Sequence, residues 1–385
     1  MSGRLSFRLF AHSWISDWNH GNAHFLRGIA SELQSRGHEI RIYEPESSWS
    51  KENLLQEYGT EAVTSFARAY PALSSTTYQL ATLDLDRELE GADVVLVHEW
   101  NDHALVDAIG RHRAAGREYR LFFHDTHHRS VTDSASMAAY QLENYDGVLA
   151  FGEVIRQRYL SEGWAGRVWT WHEAADARVF YPRSSEQTTG DVIWVGNWGD
   201  EERTAELEEF LIQPIEQLRL KARVHGVRYP PTAIARLAGA GIDYAGWLPN
   251  YRVPEAFAKY RVTLHIPRRP YVQALPGIPT IRVFEALACG IPLICAPWRD
   301  DEHLFAPGTD YLMARDGREM QDHLALLLSD PPLARRLAEH GRRTILARHT
   351  CAHRVDELMG ILGELNGDEA VSAATETVTG GEVPS

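Results

Sequence analysis

The chain predicts an α/β protein of two similar halves, each a parallel sheet covered by helices, facing each other across a central cleft. Three observations predict it. Short apolar runs alternate with helical stripes from Leu5 to His172. A polar crossing follows, in which Pro182 breaks regular structure and Ser184–Gly190 reads as a loop. A second alternation then runs from Asp191 to Cys295. Strands alternating with helices imply parallel sheets buried on both faces. Two such halves leave a deep crevice between them, where ligands bind.

The elements follow in order. Leu5–Phe10 reads as the first strand. Phe25, Ile29, Ala30 and Leu33 recur at helical spacing, and Gly37 ends that helix. Ile40–Tyr43, Asp93–His98, Arg120–Phe123, Gly147–Phe151 and Val168–His172 complete the first sheet. Asp191–Val195, Ala222–His225, Ile242–Ala245, Val262–Ile266 and Ile291–Cys295 form the second. Leu324–Leu362 reads as helical. Asp368–Ser385 is small, polar and acidic, so it reads as a disordered tail. The expected domains are 1–177 and 178–365, with the tail over 366–385.

The totals narrow the function. A length of 385 residues suits two domains, and a 44% hydrophobic share supplies full cores. A formal net charge of −14 argues against general nucleic-acid binding. The basic stretch Gly110–Arg120 reads as a solvated helix end, or else as a contact for anionic lipid or an acidic acceptor. Cys289, Cys295 and Cys351 form no C-x-x-C pair, which fits a reducing compartment. No signal peptide or membrane span is evident, so a cytoplasmic location is expected. The oligomeric state is left open. Dinucleotide, Walker-type and G-x-S-x-G loops are all missing from the sequence.

The segment Pro267–Trp298 is the most informative. A strand runs into a loop rich in proline and arginine, then a short helix Thr280–Cys289, Gly290 and another strand. This places a helix start at the carboxyl edge of a parallel sheet, where unpaired backbone N–H groups favour an anion. Arg268, Arg269 and Arg282 add positive charge there. Glu285, three residues after Arg282, shares a helix face with it and can accept ribose hydroxyls. The set suits a nucleotide diphosphate.

PTIRVFEALACGIPLI (Pro279–Ile294), EHLFAPG (Glu302–Gly308) and HTCAHR (His349–Arg354) resemble a glycosyltransferase of the GT-B type, with two Rossmann-like domains. Within that superfamily they most resemble the spore-maturation, CgeB-like group. VIWVGNWGDEER (Val192–Arg203) and VHGVRYP (Val224–Pro230) resemble the opening of the donor domain. The resemblance implies transfer of a sugar from a nucleotide diphosphate sugar, of UDP or GDP type, to an unidentified acceptor, with no tightly bound cofactor and no active-site metal. It implies that Glu285 binds the ribose, that Thr280 and Arg282 lie beside the diphosphate, and that Gly196, Asn197 and Arg203 face the donor phosphates. Many retaining members carry a pair of glutamates. Glu285 fills the second place here, but Gly277 stands at the first.

The first half offers fewer signals. LFFHDTHHR (Leu121–Arg129) runs from an apolar strand into titratable groups. His124 and Asp125 are the candidates for positioning or deprotonating the acceptor, and the resemblance favours His124. His127 is a candidate acceptor contact. A metal held by Asp125, His127 and His128 is the weaker alternative. Gly21 and Asn22 offer backbone N–H groups to the donor phosphates. Trp14 and Trp18 either stack on the acceptor or pack beneath their loop. His20 and His24 lack further ligands for a metal. The rival functions are an epimerase or hydrolase acting on the donor alone, and a binding module without catalysis.

Overall fold

The computed structural model describes residues 3–379 except 186, and side chains through residue 367. Two all-parallel sheets form its frame. The first holds β1 (Ser6–Phe10), β2 (Glu39–Pro45), β3 (Ser75–Tyr78), β4 (Val94–His98), β5 (Arg120–Asp125), β6 (Gly147–Ala150) and β7 (Val168–Thr170), in the order β3-β2-β1-β4-β5-β6-β7. The second holds β8 (Gly190–Val195), β9 (Ala222–His225), β10 (Ile242–Tyr244), β11 (Tyr260–His265), β12 (Leu293–Cys295) and β13 (Leu312–Met313), in the order β10-β9-β8-β11-β12-β13. The two orders are the same doubly wound pattern, and it reverses direction between β1 and β4 and between β8 and β11. A crevice opens at the carboxyl ends of the strands flanking such a reversal.

The composition of the strands follows from their burial. Every residue of β4 (VVLVH) and β5 (RLFFHD) is buried, as expected for central parallel strands covered on both faces. β3 (STTY) sits on the sheet edge and is half exposed, so it carries no apolar run. The sequence reading omits it, and omits the two-residue β13 for the same reason. Helix Ala23–Ser35 buries Phe25, Leu26, Ile29, Ala30 and Leu33 against the first sheet.

Helix Ile281–Cys289 begins after Thr280 and ends at Gly290, which adopts the left-handed conformation at φ 65°. Glycine tolerates that conformation at a helix end. All three cysteines are buried and free. The expected helical stretch after Leu324 resolves into Gly317–Ser329, Pro331–Arg348 and Cys351–Thr379. The last of these is helical across much of the segment read as a disordered tail, whose alanine-rich course favours a helix. Residues 380–385 of that tail lie outside the described residues.

The chain leaves the first sheet at Thr170 and enters the second at Gly190. Helix Cys351–Thr379 then returns to the first half and packs on helix Ala23–Ser35. Gly28 is the contact point. A Cβ there would meet Cys351 Sγ at 2.5 Å and Asp176 Cβ at 2.9 Å. Trp171 Nε1 donates to the Arg354 carbonyl at 2.8 Å and fixes the same helix from below. Among the described residues no helix is long and apolar enough to cross a membrane.

Candidate active site

The cleft between the two sheets has a volume of about 1020 Å³. The stretches after β2, β3 and β5 extend one wall of it, and its centre is set by the loops after β1 and β4 on that side and after β8 and β11 on the other. These are the two reversal points of the sheets.

The second wall is cationic. Arg203, Arg228, Arg268 and Arg282 line it, and among the described residues no carboxylate does. Arg203 donates only to carbonyls: Ile266 at 2.9 Å, Trp198 at 3.3 Å and Asn197. Burial, then Arg268 and Arg282, push its guanidinium below the ordinary arginine value. Like charges held this close favour an anion between them. Arg268 is paired behind the wall with Glu202 at 2.9 Å. Gly196 lines the wall beside Gly226, where a Cβ would meet the Gly196 carbonyl oxygen at 2.0 Å. Only glycine at 226 lets these backbones approach so closely. Thr280 accompanies them and pairs with His265 Nε2 at 3.1 Å.

Glu285 is fully buried behind this wall rather than on it. Its carboxylate takes Arg282 on one oxygen and His24 Nδ1, at 3.0 Å, on the other. Asp176 N donates to His24 Nε2 at 2.9 Å, so Nδ1 carries the ring proton and donates to Glu285. The expected ribose contact is thus engaged across the two halves in this conformation. Arg269 lies outside the cleft, paired with Glu206 at 2.8 Å. Glu173, in the crossing segment, accepts from Ile281 N at the helix start. Burial and the neighbouring Glu285 push its carboxyl well above the usual range.

The place of the missing glutamate has its own logic. Gly277 has φ +94°, and a Cβ there would meet Glu302 Cγ at 3.1 Å. Glu302 accepts from Glu153 N at 2.9 Å and pairs with His172 Nε2 at 2.7 Å. A side chain at 277 would be strained and would crowd that network.

The first wall corrects the sequence reading. His124 does not line the cleft. It is buried against Phe25, His98 and Trp171, and burial pushes its imidazole well below the ordinary value. Asp125 is also buried behind the wall. It accepts from Tyr159 Oη at 2.9 Å and from His127 N at 3.1 Å. Burial raises its carboxyl, and the adjacent buried Glu99 is raised further by burial and by Asp125. The reason is strand order. β5 is one strand removed from the reversal point, and His124 and Asp125 at its end pack inward, while His127, two residues on, reaches the cleft. β4 borders the reversal, and its last residue, His98, and Trp100 just beyond line the cleft with His12 and His20 from the β1 loop. The signal was VVLVHEW, an apolar strand running directly into His, Glu and Trp.

His98 is fixed by the Glu99 carbonyl at 2.6 Å and Thr126 Oγ1 at 3.0 Å, and burial lowers it to about 4. His127 does line the cleft. Trp18 does too, with Nε1 bonded to Glu57 at 2.9 Å. Trp14 does not. It packs under its loop and donates to the Leu73 carbonyl at 2.8 Å. Gly21 and Asn22 line the interdomain seam. Asn250 donates to the Gly21 carbonyl at 3.1 Å, and Asn19 and Asn197 pair across the seam at 2.7 Å. Among the described residues no group of three or more His, Cys, Asp and Glu side chains is arranged to hold a metal ion.

Comparison with known proteins follows this geometry. A family model described as glycosyl transferase-like matches residues 203–360, the region of the cationic wall. No curated protein sequence matches. Among solved structures, sucrose-phosphate synthase from Thermosynechococcus elongatus superposes with TM-score 0.64 at 14% identity, covering 95% of this chain and 100% of that one. The fold is that of the GT-B glycosyltransferases. An alpha-glucosyltransferase in complex with UDP and a 13-mer DNA containing a HMU base gives TM-score 0.68 at 13% identity, covering 94% and 100%. Anabaena Alr3699/HepE in complex with UDP and glucose gives 0.64 at 12%, covering 94% and 100%.

Proposed function

We propose that this protein transfers a sugar from a nucleotide diphosphate sugar to an acceptor held on the first domain, as a cytoplasmic member of the CgeB-like branch. The observation that carries the donor reading is the group Arg203, Arg268 and Arg282 on a wall without carboxylates. A diphosphate placed there relieves their mutual repulsion and gains charge-assisted hydrogen bonds. The same cations stabilise the charge that develops on the departing diphosphate. A UDP-type donor is favoured because two structural neighbours hold UDP.

His12 and His20 on the opposite wall are kept neutral by burial, so each can hydrogen-bond and orient an acceptor hydroxyl. Bonds between the halves, such as Trp247 Nε1 to Asp17 at 2.9 Å, hold the two walls facing each other across the cleft. Thermal unfolding with UDP, GDP and their sugars tests the reading. A ligand at a hundred times its dissociation constant adds roughly 2.7 kcal/mol. If none of these compounds stabilises the protein, the donor assignment fails. Release of UDP with no acceptor present separates a donor hydrolase from a transferase.

A further inference from the structure

We propose that the acceptor subsite is built for a neutral saccharide, which stacks on Trp100 and Trp49 and places its hydroxyls among His12, His20 and His127. This rests on the glycosyltransferase reading and goes on to name the acceptor class. The first observation is charge. Among the described residues the first-domain wall contains no lysine or arginine, while Asp17, Glu46 and Asp102 line it. The nearest cations are already engaged: Arg129, over Trp100, bonds Ser136 and Tyr140, and Arg228, 5.5 Å over Trp49, pairs with Asp200 at 2.8 Å, so an anionic acceptor such as a nucleic-acid backbone finds little free counter-charge there. Stacking of bases on aromatics occurs in single-strand binders, but they pair it with a cationic groove.

The second observation is Trp100. Its φ is +70°, a backbone region that is an outlier for a bulky side chain. Its side chain is nevertheless 45% exposed in the cleft. The Arg129 guanidinium lies 4.4 Å over its ring, and His127 meets it edge-on at 5.1 Å. Arg129 is anchored in turn by Ser136 Oγ at 2.6 Å and Tyr140 Oη at 3.3 Å. A strained, braced and half-open tryptophan is costly to keep for packing alone, and such strain concentrates at ligand clamps. Trp49 is 53% exposed at the start of helix Trp49–Ala69, edge-on to Trp18 at 4.9 Å. These open indoles match the C–H faces of a pyranose ring, and tryptophan supplies large contact area at little entropic cost.

The third observation lies on the floor between them. His20 is 7% exposed and its Nε2 has no partner. His12 Nδ1 and His127 Nδ1 are also unpartnered. A neutral imidazole offers one donor and one acceptor, as a sugar hydroxyl does. Buried polar atoms left unpaired in the free protein are satisfied when such hydroxyls arrive.

Saturation-transfer NMR tests this on the full chain, with and without UDP. The probes are methyl α-glucoside, maltose and cellobiose, set against a hydroxymethyl-pyrimidine DNA duplex and a serine-rich peptide. The expected result is transfer to at least one saccharide, weakened at least tenfold by Trp100→Ala and restored to within about threefold by Trp100→Phe. Trp49→Ala gives an independent loss if Trp100→Ala does not fold. The inference is overturned if no saccharide binds, if DNA or peptide binds more tightly, or if saccharide binding ignores both tryptophan changes. Failure of UDP to bind sinks the donor reading instead, because saccharide binding is read separately.

Discussion

The two walls of the cleft are made by sheets of one strand order, yet they solve opposite problems. The wall after β8 and β11 concentrates arginines and excludes carboxylates. The wall after β1 and β4 excludes arginine and lysine and gathers neutral histidines and open tryptophans. The topology supplies the crevice and leaves its chemistry free. What each side recognises is decided by a few loop residues at each reversal point.

The largest predicted effect falls on the donor wall. Replacing Arg268 and Arg282 together by alanine removes two charge-assisted contacts. Each is worth about 2 kcal/mol, so nucleotide affinity is expected to fall near a thousandfold. Isothermal titration with UDP measures it, and a change below tenfold would break the assignment of the two sides.

Next comes pH, which sharpens the comparison from the acceptor wall. His98 titrates at about 4 in the folded protein and near 6.5 when unfolded. Between those values the unfolded chain binds more protons, so stability falls as pH drops from 7 toward 4. His98 alone accounts for about 3 kcal/mol of that loss. Glu99, raised by burial, acts in the opposite sense, costing stability as pH rises above its unfolded value near 4.5. Urea unfolding of the native chain and of His98→Gln at pH 7 and 5 isolates the histidine. Parallel pH slopes for the two proteins would refute its buried neutral state.

A smaller effect is expected from Gly226→Ala, which drives a methyl into the Gly196 carbonyl and displaces the donor loop. A loss of about 2 kcal/mol in stability is expected, with weaker UDP binding. Wild-type stability and affinity would show that the loop does not depend on that close approach. The smallest effect is ionic. Raising salt from 0.1 to 0.5 M should weaken UDP binding several-fold through screening and leave saccharide binding within twofold. Equal sensitivity would mean the two sides are not electrically distinct.

The fold was legible where burial writes a continuous signal. Central strands such as β4 and β5 read as unbroken apolar runs. Edge strand β3 did not, because half its residues meet water. The cationic wall was also readable, since Arg268, Thr280 and Arg282 sit within one short segment. The acceptor side is assembled from five separated stretches around His12, Ser48, Tyr78, His98 and His127, and no local pattern ties them together. His124 drew attention because its strand ends in titratable groups. Its distance from the crevice depends on which strands are neighbours, and that information is not local. Trp100 escaped notice because an isolated tryptophan after a strand looks like core, and only its backbone conformation marks it out.

The return of helix Cys351–Thr379 to helix Ala23–Ser35 has a consequence for biosynthesis. On the ribosome, the amino-terminal half emerges long before the residues that cover Gly28 and Trp171 exist. The contacts that cover that apolar flank therefore form only after synthesis of the entire second half. A stop codon placed before Cys351 would therefore harm the end of the protein made first.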